Sequence, residues 1–241
     1  MRANSSRLGR ASTWLGRVGV LGAVLGPALA SLELVKPMSG LVVFALGLLL
    51  GVCSLALGLL ALALGPSPTR ASTAAGIVPP VVVLLIVLFA SGFTDNAPQI
   101  NDITTDTANP PQFAHAQTLA DNAGRDLRYP GDEFAQQQRA GYPDLAPVTL
   151  ALPPAQAFVQ VAAAARSMPG WVIAREDAGA RIVEGYDTSA LFRFTDDVVI
   201  EVRPTDTGQS VVHMRSKSRD GRGDLGANAQ RIRYFLSRLQ N

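Results

Sequence analysis

Asp197-Val198-Val199-Ile200-Glu201-Val202-Arg203-Pro204-Thr205-Asp206-Thr207-Gly208-Gln209-Ser210-Val211-Val212-His213-Met214-Arg215-Ser216-Lys217-Ser218 reads as two strands around a turn. Val198, Ile200 and Val202 alternate onto one face, Val212 and Met214 continue it, and Thr205 to Gly208 supplies the turn chemistry of a hairpin. The alternation puts His213, Arg215, Lys217 and Arg219 on one face of the second strand and Ser216 and Ser218 on the other. In this register Asp197 and Glu201 of the neighbouring strand lie across or diagonal to the cations and are their expected partners.

Working outward, further strands are expected at Val148–Leu152, Trp171–Glu176 and Arg181–Tyr186, the last extending toward Phe194. A helix is expected from Pro154 to Met168, with proline at its start and Phe158, Val161, Ala162 and Ala165 on one face. A final helix from Asp224 to Gln240 carries Leu225, Ala229, Ile232, Leu236 and Leu239 on one stripe. The order β-α-β-β-β-β-α over residues 145–241 predicts an α+β domain, an antiparallel sheet with helices on one face. That order resembles TATA-binding-protein-like and helix-grip folds, a likeness that carries no function. Residues 94–144, rich in Asn, Asp, Gln, Pro and Thr, read as a lead-in, partly an ordered strap.

The first 93 residues are of a different kind. They hold six basic residues and one acidic residue, against fifteen and eighteen in the remaining 148. The chain is 48% hydrophobic but only 6% aromatic, so its apolar content is Leu, Val and Ala, the composition of membrane helices. Gly40–Leu64 exceeds the roughly 20 residues that cross a bilayer. A second uncharged stretch runs from Ala71 to Thr94, giving a helix over about 76–93 with Pro79 and Pro80 in its first turns. The earliest segment, about 18–35, supports two readings: a retained helix, or a secretory signal in which Arg2, Arg7, Arg10 and Arg17 precede an apolar stretch and Ala28-Leu29-Ala30. Three transmembrane helices are the main expectation. Gly47, Gly51 and Ser54 are small enough to allow close helix approach.

Arginines before the first segment, and Arg70, belong on the cytoplasmic side. With no further Lys or Arg until Arg125, the C-terminal domain is expected to face away from the cytoplasm. The basic excess lies beside apolar segments, so it orients a membrane protein and does not signal nucleic acid. The expected partners are the lipid bilayer and a membrane or periplasmic protein. No ionisable group lies near the centre of an apolar segment, which disfavours transport.

The run from Val211 to Ile232 is the most specific in the chain. Arg215-Ser216-Lys217-Ser218-Arg219, a following glycine, Asp224-Leu225-Gly226-Ala227-Asn228 and Arg231-Ile232 resemble the pattern of the domain of unknown function 1499 family. Phe194-Thr195-Asp196-Asp197-Val198, Asn101-Asp102-Ile103, Thr105-Asp106 and Pro110-Pro111-Gln112-Phe113 match its other elements, so the likeness covers about residues 99 to 239. The three-helix lead-in is similar to that of proteobacterial members, which implies an inner membrane and a periplasmic domain. The resemblance implies no activity, and it favours an ordered strap.

Read as residues, Asp224 is an expected N-cap, Gly223 part of the preceding turn, and Asn228, four residues after Asp224, a tie between helix and strand. Arg215, Lys217, Arg219 and Arg222 are the candidate anion or partner contacts, since cations and glycine amides beside a helix start can hold a phosphate or carboxylate. The alternative is that these cations are paired within the domain.

Catalytic signals are weak. His115 and His213 are the only histidines and Cys53 the only cysteine, with no metal-ligand spacing. No Gly-x-Ser-x-Gly or Gly-x-x-x-x-Gly-Lys motif occurs, and Gly221-x-Gly223-x-x-Gly226 lacks a parallel βαβ context. Asp196 and Asp197 are adjacent on a strand and point to opposite faces. Trp171 reads as a core ring. No catalytic residue, metal site or cofactor is assigned. The chain reads as an integral membrane protein presenting an extracytoplasmic binding or assembly module; the alternatives are a membrane-tethered hydrolase, or a lipid-handling module with an apolar pocket between helices and sheet.

Overall fold

A computed structural model describes residues 2–64, 67–90 and 97–240. It divides into a helical unit, Met1–Phe93 with Ala190–Arg193, and a second unit, Thr94–Ser189 with Phe194–Asn241.

The helical unit consists of α1 (Arg2–Ser31), α2 (Pro37–Leu64) and α3 (Ser67–Ala90). Helix α1 stops at Ser31 and not at about residue 35, because Glu33 takes a left-handed φ of +58°. The Glu33 amide then bonds the Ala30 carbonyl and the Leu34 amide bonds that of Leu29, at 2.9 Å each, which closes the helix end. Helices α1 and α2 run antiparallel at close range. A Cβ at Gly47 would lie 2.4 Å from the Ala23 amide nitrogen. Ser12 and Ser54 exchange hydrogen bonds between their hydroxyls and each other's carbonyls at 2.8 Å, the polar tie expected where helix backbones meet in an apolar medium. Gly47, Gly51 and Ser54 are all buried on this seam.

Two helices, not the expected three, are long and apolar enough to cross a membrane: Ser6–Ser31 and Pro37–Leu64. The apolar part of α3, Ser72–Leu88, is shorter, about 25 Å at 1.5 Å per residue. The helix begins at Ser67 and not near residue 76, so Pro79 and Pro80 lie inside it; residues 91–93 of the expected segment are outside the described residues.

The second unit is α+β. Its strands are β1 (Asp102–Thr104), β2 (Val148–Leu150), β3 (Trp171–Asp177), β4 (Ile182–Thr188), β5 (Thr195–Pro204) and β6 (Ser210–Ser218); its helices are α4 (Asp132–Gly141), α5 (Pro154–Arg166) and α6 (Ala227–Gln240). The sheet runs β1-β6-β5-β4-β3, with β2 also on β6, and every pairing is antiparallel. Strands β1 and β2 therefore share one edge, opposite Arg215–Lys217 and Ser210–Val212 respectively. The hairpin β5–β6 pairs Ile200 with Met214 and Val202 with Val212.

Val198, Ile200, Val202, Val212 and Met214 form one face, buried against Val161, Ala162 and Ala165 of α5 and Ile232, Phe235 and Leu236 of α6. Trp171 stacks on Phe235 with ring centroids 5.5 Å apart. This layer is filled by side chains, as a close-packed interior requires. Val199 points to the other face, where the lead-in covers it with Phe113, Ala116 and Leu127. Helix α4, which periodicity did not reveal, protects the sheet edge: Gln138 accepts from the Thr104 amide at 3.0 Å and donates to its carbonyl at 2.7 Å, standing in for a further strand.

Gly47→Leu is expected to separate α1 from α2 and lower the melting temperature of the full chain in detergent, at an overpacking cost of about 1–3 kcal/mol. Leu49→Ala, at an exposed position, should leave it nearly unchanged. Equal effects would show that the seam is not tightly packed.

Candidate functional site

The cations of β6 lie beneath the lead-in, and most of their partners come from it and not from β5. Arg215 is fully buried. Its Nε and Nη2 donate to the two Asp102 carboxylate oxygens at 2.8 Å each, its Nη1 to the Pro111 carbonyl at 3.1 Å, and its Nη2 also to Leu127 O at 2.8 Å. The guanidinium sits 4.7 Å from the Phe113 ring centroid and 5.6 Å from that of Tyr129, where its planar face gains cation–π attraction. Lys217 Nζ donates to Asp102 Oδ2 at 2.8 Å. The expected partners are thus corrected: β5 places Val199 opposite Arg215, and Asp102, on the other neighbour of β6, takes both cations.

Asp197 serves a second cluster. Its carboxylate accepts from Arg219 at 2.7 and 3.1 Å, from Asn122 at 3.0 Å and from Arg125 at 3.3 Å, and Arg219 also reaches Asp121 at 3.0 Å. The expected pairing of Asp197 with the basic row thus holds at Arg219, whereas Glu201 pairs with Arg203, which extends to Asp106 at 2.9 Å, and partners none of the row's arginines. Buried Glu184 accepts the amides of Ala114, His115 and Ala116 at 2.8–3.2 Å. Three backbone donors converging on one carboxylate form an anion nest, filled here by the chain's own side chain. His213 lies beside this row with Nδ1 buried and 3.6 Å from Asp106. Burial, helped by Arg203, holds its pKa below the usual value against the pull of Asp106 and Glu201. Burial and the Asp102 charge raise that of Tyr129.

On the opposite face, Asn228 is the hub of a polar tie. Its Oδ1 accepts from Ser216 at 2.5 Å and from Arg231 at 2.7 Å, and its Nδ2 donates to Ser218 at 2.9 Å. Arg231 continues to Asp196 at 2.7 Å and Asp187 at 2.9 Å. Asp196 and Asp197 therefore belong to separate clusters on opposite faces and do not converge on one point. Asp224 accepts the amides of Gly226 at 2.9 Å and Asn228 at 3.0 Å, the geometry of a cap, although α6 begins at Ala227 and not at Asp224. Burial raises its carboxyl pKa, against those two donors.

The turn between β6 and α6 is pinned from below. Asn101 donates to Gly221 O at 2.8 Å, the Asp224 amide bonds Ile100 O at 3.3 Å, and a Cβ at Gly223 would lie 3.3 Å from Gln99 Cα. On its outer side Arg222 is exposed. Leu225, expected on the apolar stripe of the final helix, instead lies before α6, 77% exposed with a φ of +53°, a left-handed conformation that costs a non-glycine residue about 1–2 kcal/mol.

Of the four candidate cations, the structure gives Arg215, Lys217 and Arg219 partners within the chain and leaves Arg222 at the surface. Charge alternation identified the β6 row. Asp102, Arg125, Asn122 and Glu184 had no spacing signal, since these contacts span 68 or more residues; Asp102 stood only among the residues of the family resemblance. Among the described residues, no three His, Cys, Asp or Glu side chains are grouped to hold a metal.

The family model described as "Protein of unknown function (DUF1499)" matches residues 102–239. No curated protein and no solved structure matches the chain.

Asp102→Ala is expected to cost about 3–5 kcal/mol, because it leaves Arg215 buried without its carboxylate. Adding Arg215→Met should recover much of that loss in chemical denaturation. A single-variant cost below about 1 kcal/mol would mean that water or another acid replaces Asp102.

Proposed function

The chain belongs to the DUF1499 family over nearly all of its second unit, and we propose that it is an integral membrane protein that presents this unit outside the cytoplasm as a binding or assembly module. The turn Asp220–Gly226 is its contact element. Orientation is supported by the course of the helices. Built on glycines of α1, a Cβ at Gly9 would meet Thr73 and one at Gly16 would meet Pro80, so α3 runs in the direction of α1. In this reading α3 crosses as well, its shorter apolar stretch Ser72–Leu88 being met by local thinning of the bilayer, and the chain leaves the bundle at the end opposite the arginine-rich N-terminus, which the positive-inside rule assigns to the cytoplasm.

The observation that carries the binding role is Leu225. An apolar side chain held out to water in a strained backbone, on a turn tied down by Asn101, Asp224 and Asn228, contributes nothing to the core. Such strain persists where surrounding contacts over-determine it, and it clusters at ligand-contacting positions. Arg222 on the same turn adds a residue type enriched at protein interfaces. Among the described residues no acid, base and nucleophile converge to support the hydrolase reading, and the layer between helices and sheet is occupied by core side chains.

Leu225→Asn, which tolerates the left-handed region, is expected to leave the full chain as stable or up to about 1 kcal/mol more stable. A photoreactive residue at 225, in native membranes, should give a discrete adduct that the same residue at exposed Asp206 does not. Clear destabilisation by Leu225→Asn, or equal labelling from both positions, would contradict the assignment.

A further inference from the structure

Helices α1 and α3 enclose two adjoining cavities that share Thr13, Arg17 and Ser72. The one nearer the N-terminus, about 510 Å³, is lined by Ser6, Arg10, Thr13, Trp14, Arg17 and Thr73. The other, about 550 Å³, continues toward the middle of the bundle along Val20, Leu21, Val24, Ala75 and Pro79. The groove thus grades from cationic and hydroxylic at one end to aliphatic at the other. Arg10 and Arg17 are two turns apart on one face of α1, exposed, with no hydrogen bond or ion pair to the described residues. Arg17 stands at the margin of the apolar part of its helix, where an uncompensated guanidinium is costly. Trp14 is 66% exposed beside it, as at the headgroup level of a bilayer.

We propose that this groove is a binding site for an anionic phospholipid of the cytoplasmic leaflet. The headgroup phosphate is held between Arg10 and Arg17, with Thr13 at hydroxyl range, and one acyl chain lies along Val20, Leu21, Val24 and Pro79. Charge complementarity selects the occupant: an anionic lipid satisfies both guanidiniums with bidentate-capable oxygens, whereas an apolar helix from a partner would leave them unpaired in a low-dielectric medium. Basic clefts between helices on the cytoplasmic side suit anionic headgroups for this reason. The site lies wholly in the helical unit and does not depend on the contact turn at Leu225.

Full-length protein in neutral detergent, titrated with phosphatidylglycerol or with phosphatidylcholine of identical chains and observed by native mass spectrometry, tests it. Discrete binding of phosphatidylglycerol is expected, weakened about fivefold for each arginine changed in Arg10→Gln and Arg17→Gln. Arg17→Lys should retain most of the binding, and Arg7→Gln, a cation outside the groove, should retain all of it. Glycerophosphoglycerol, which has the headgroup without chains, should not compete; competition by it would assign the site to a free phosphate ester. Equal affinity for the two lipids, or unchanged phosphatidylglycerol binding in the double variant, would overturn the proposal. Unchanged melting temperatures of the variants in detergent exclude misfolding as the cause, and if the double variant fails to fold, Arg17→Gln alone decides.

Discussion

Asp102 takes two cations, Arg215 and Lys217, with almost none of the three side chains in contact with solvent, and the rest of the second unit is arranged around that fact. A buried guanidinium has five donors to satisfy, and in low dielectric each unmet donor costs more than a made bond returns. The carboxylate alone cannot meet them, so the carbonyls of Pro111 and Leu127 are drawn onto the same group. The lead-in is thereby obliged to cross the sheet, and Phe113, Ala116 and Leu127 bury Val199 as it does. A sheet with one charged face becomes a three-layer unit: helices, sheet and strap.

The same constraint bears on function. Cations on an open strand, as on β6, would form an anion-binding surface; with Asp102, Asp197, Asp121 and the strap carbonyls in place their charge is spent internally. On the function proposed above, recognition falls to the turn that follows, where Arg222 and Leu225 are exposed above a base of hydrogen bonds. Rigid support beneath exposed side chains keeps the ordering cost of association low.

Much of this architecture was legible in the sequence. Two-residue alternation in β5 and β6, the proline-led start of α5 and the stripe of α6 from Ala229 to Leu239 are local signals, and local signals suffice for elements; Leu225 was counted on that stripe because its spacing fits, but its left-handed backbone turns it out before the helix begins. The Asp102–Arg215 pair joins residues 113 positions apart, and nothing in the spacing of either selects the other; proximity on β5 pointed to Asp197 and Glu201 instead. Helix α4 was missed because its polar Asp132–Gly141 sequence lacks an apolar stripe. The end of α1 was misplaced because the left-handed Glu33 closes the helix without the usual glycine. The length of α3 was misjudged because uncharged sequence was counted as membrane span, while the apolar helix within the described residues is only Ser72–Leu88.

Amide hydrogen exchange of the full chain reads the central claim directly. If buried charge welds the strap to the sheet, the amides of Ala114, His115 and Ala116, bonded to Glu184, open only with the whole unit and exchange with the same free energy as those of Ile200 and Met214. Exchange of the three strap amides at a much lower free energy, while β5 and β6 remain protected, would show a strap that lifts from the sheet on its own and a charged layer that does not depend on it.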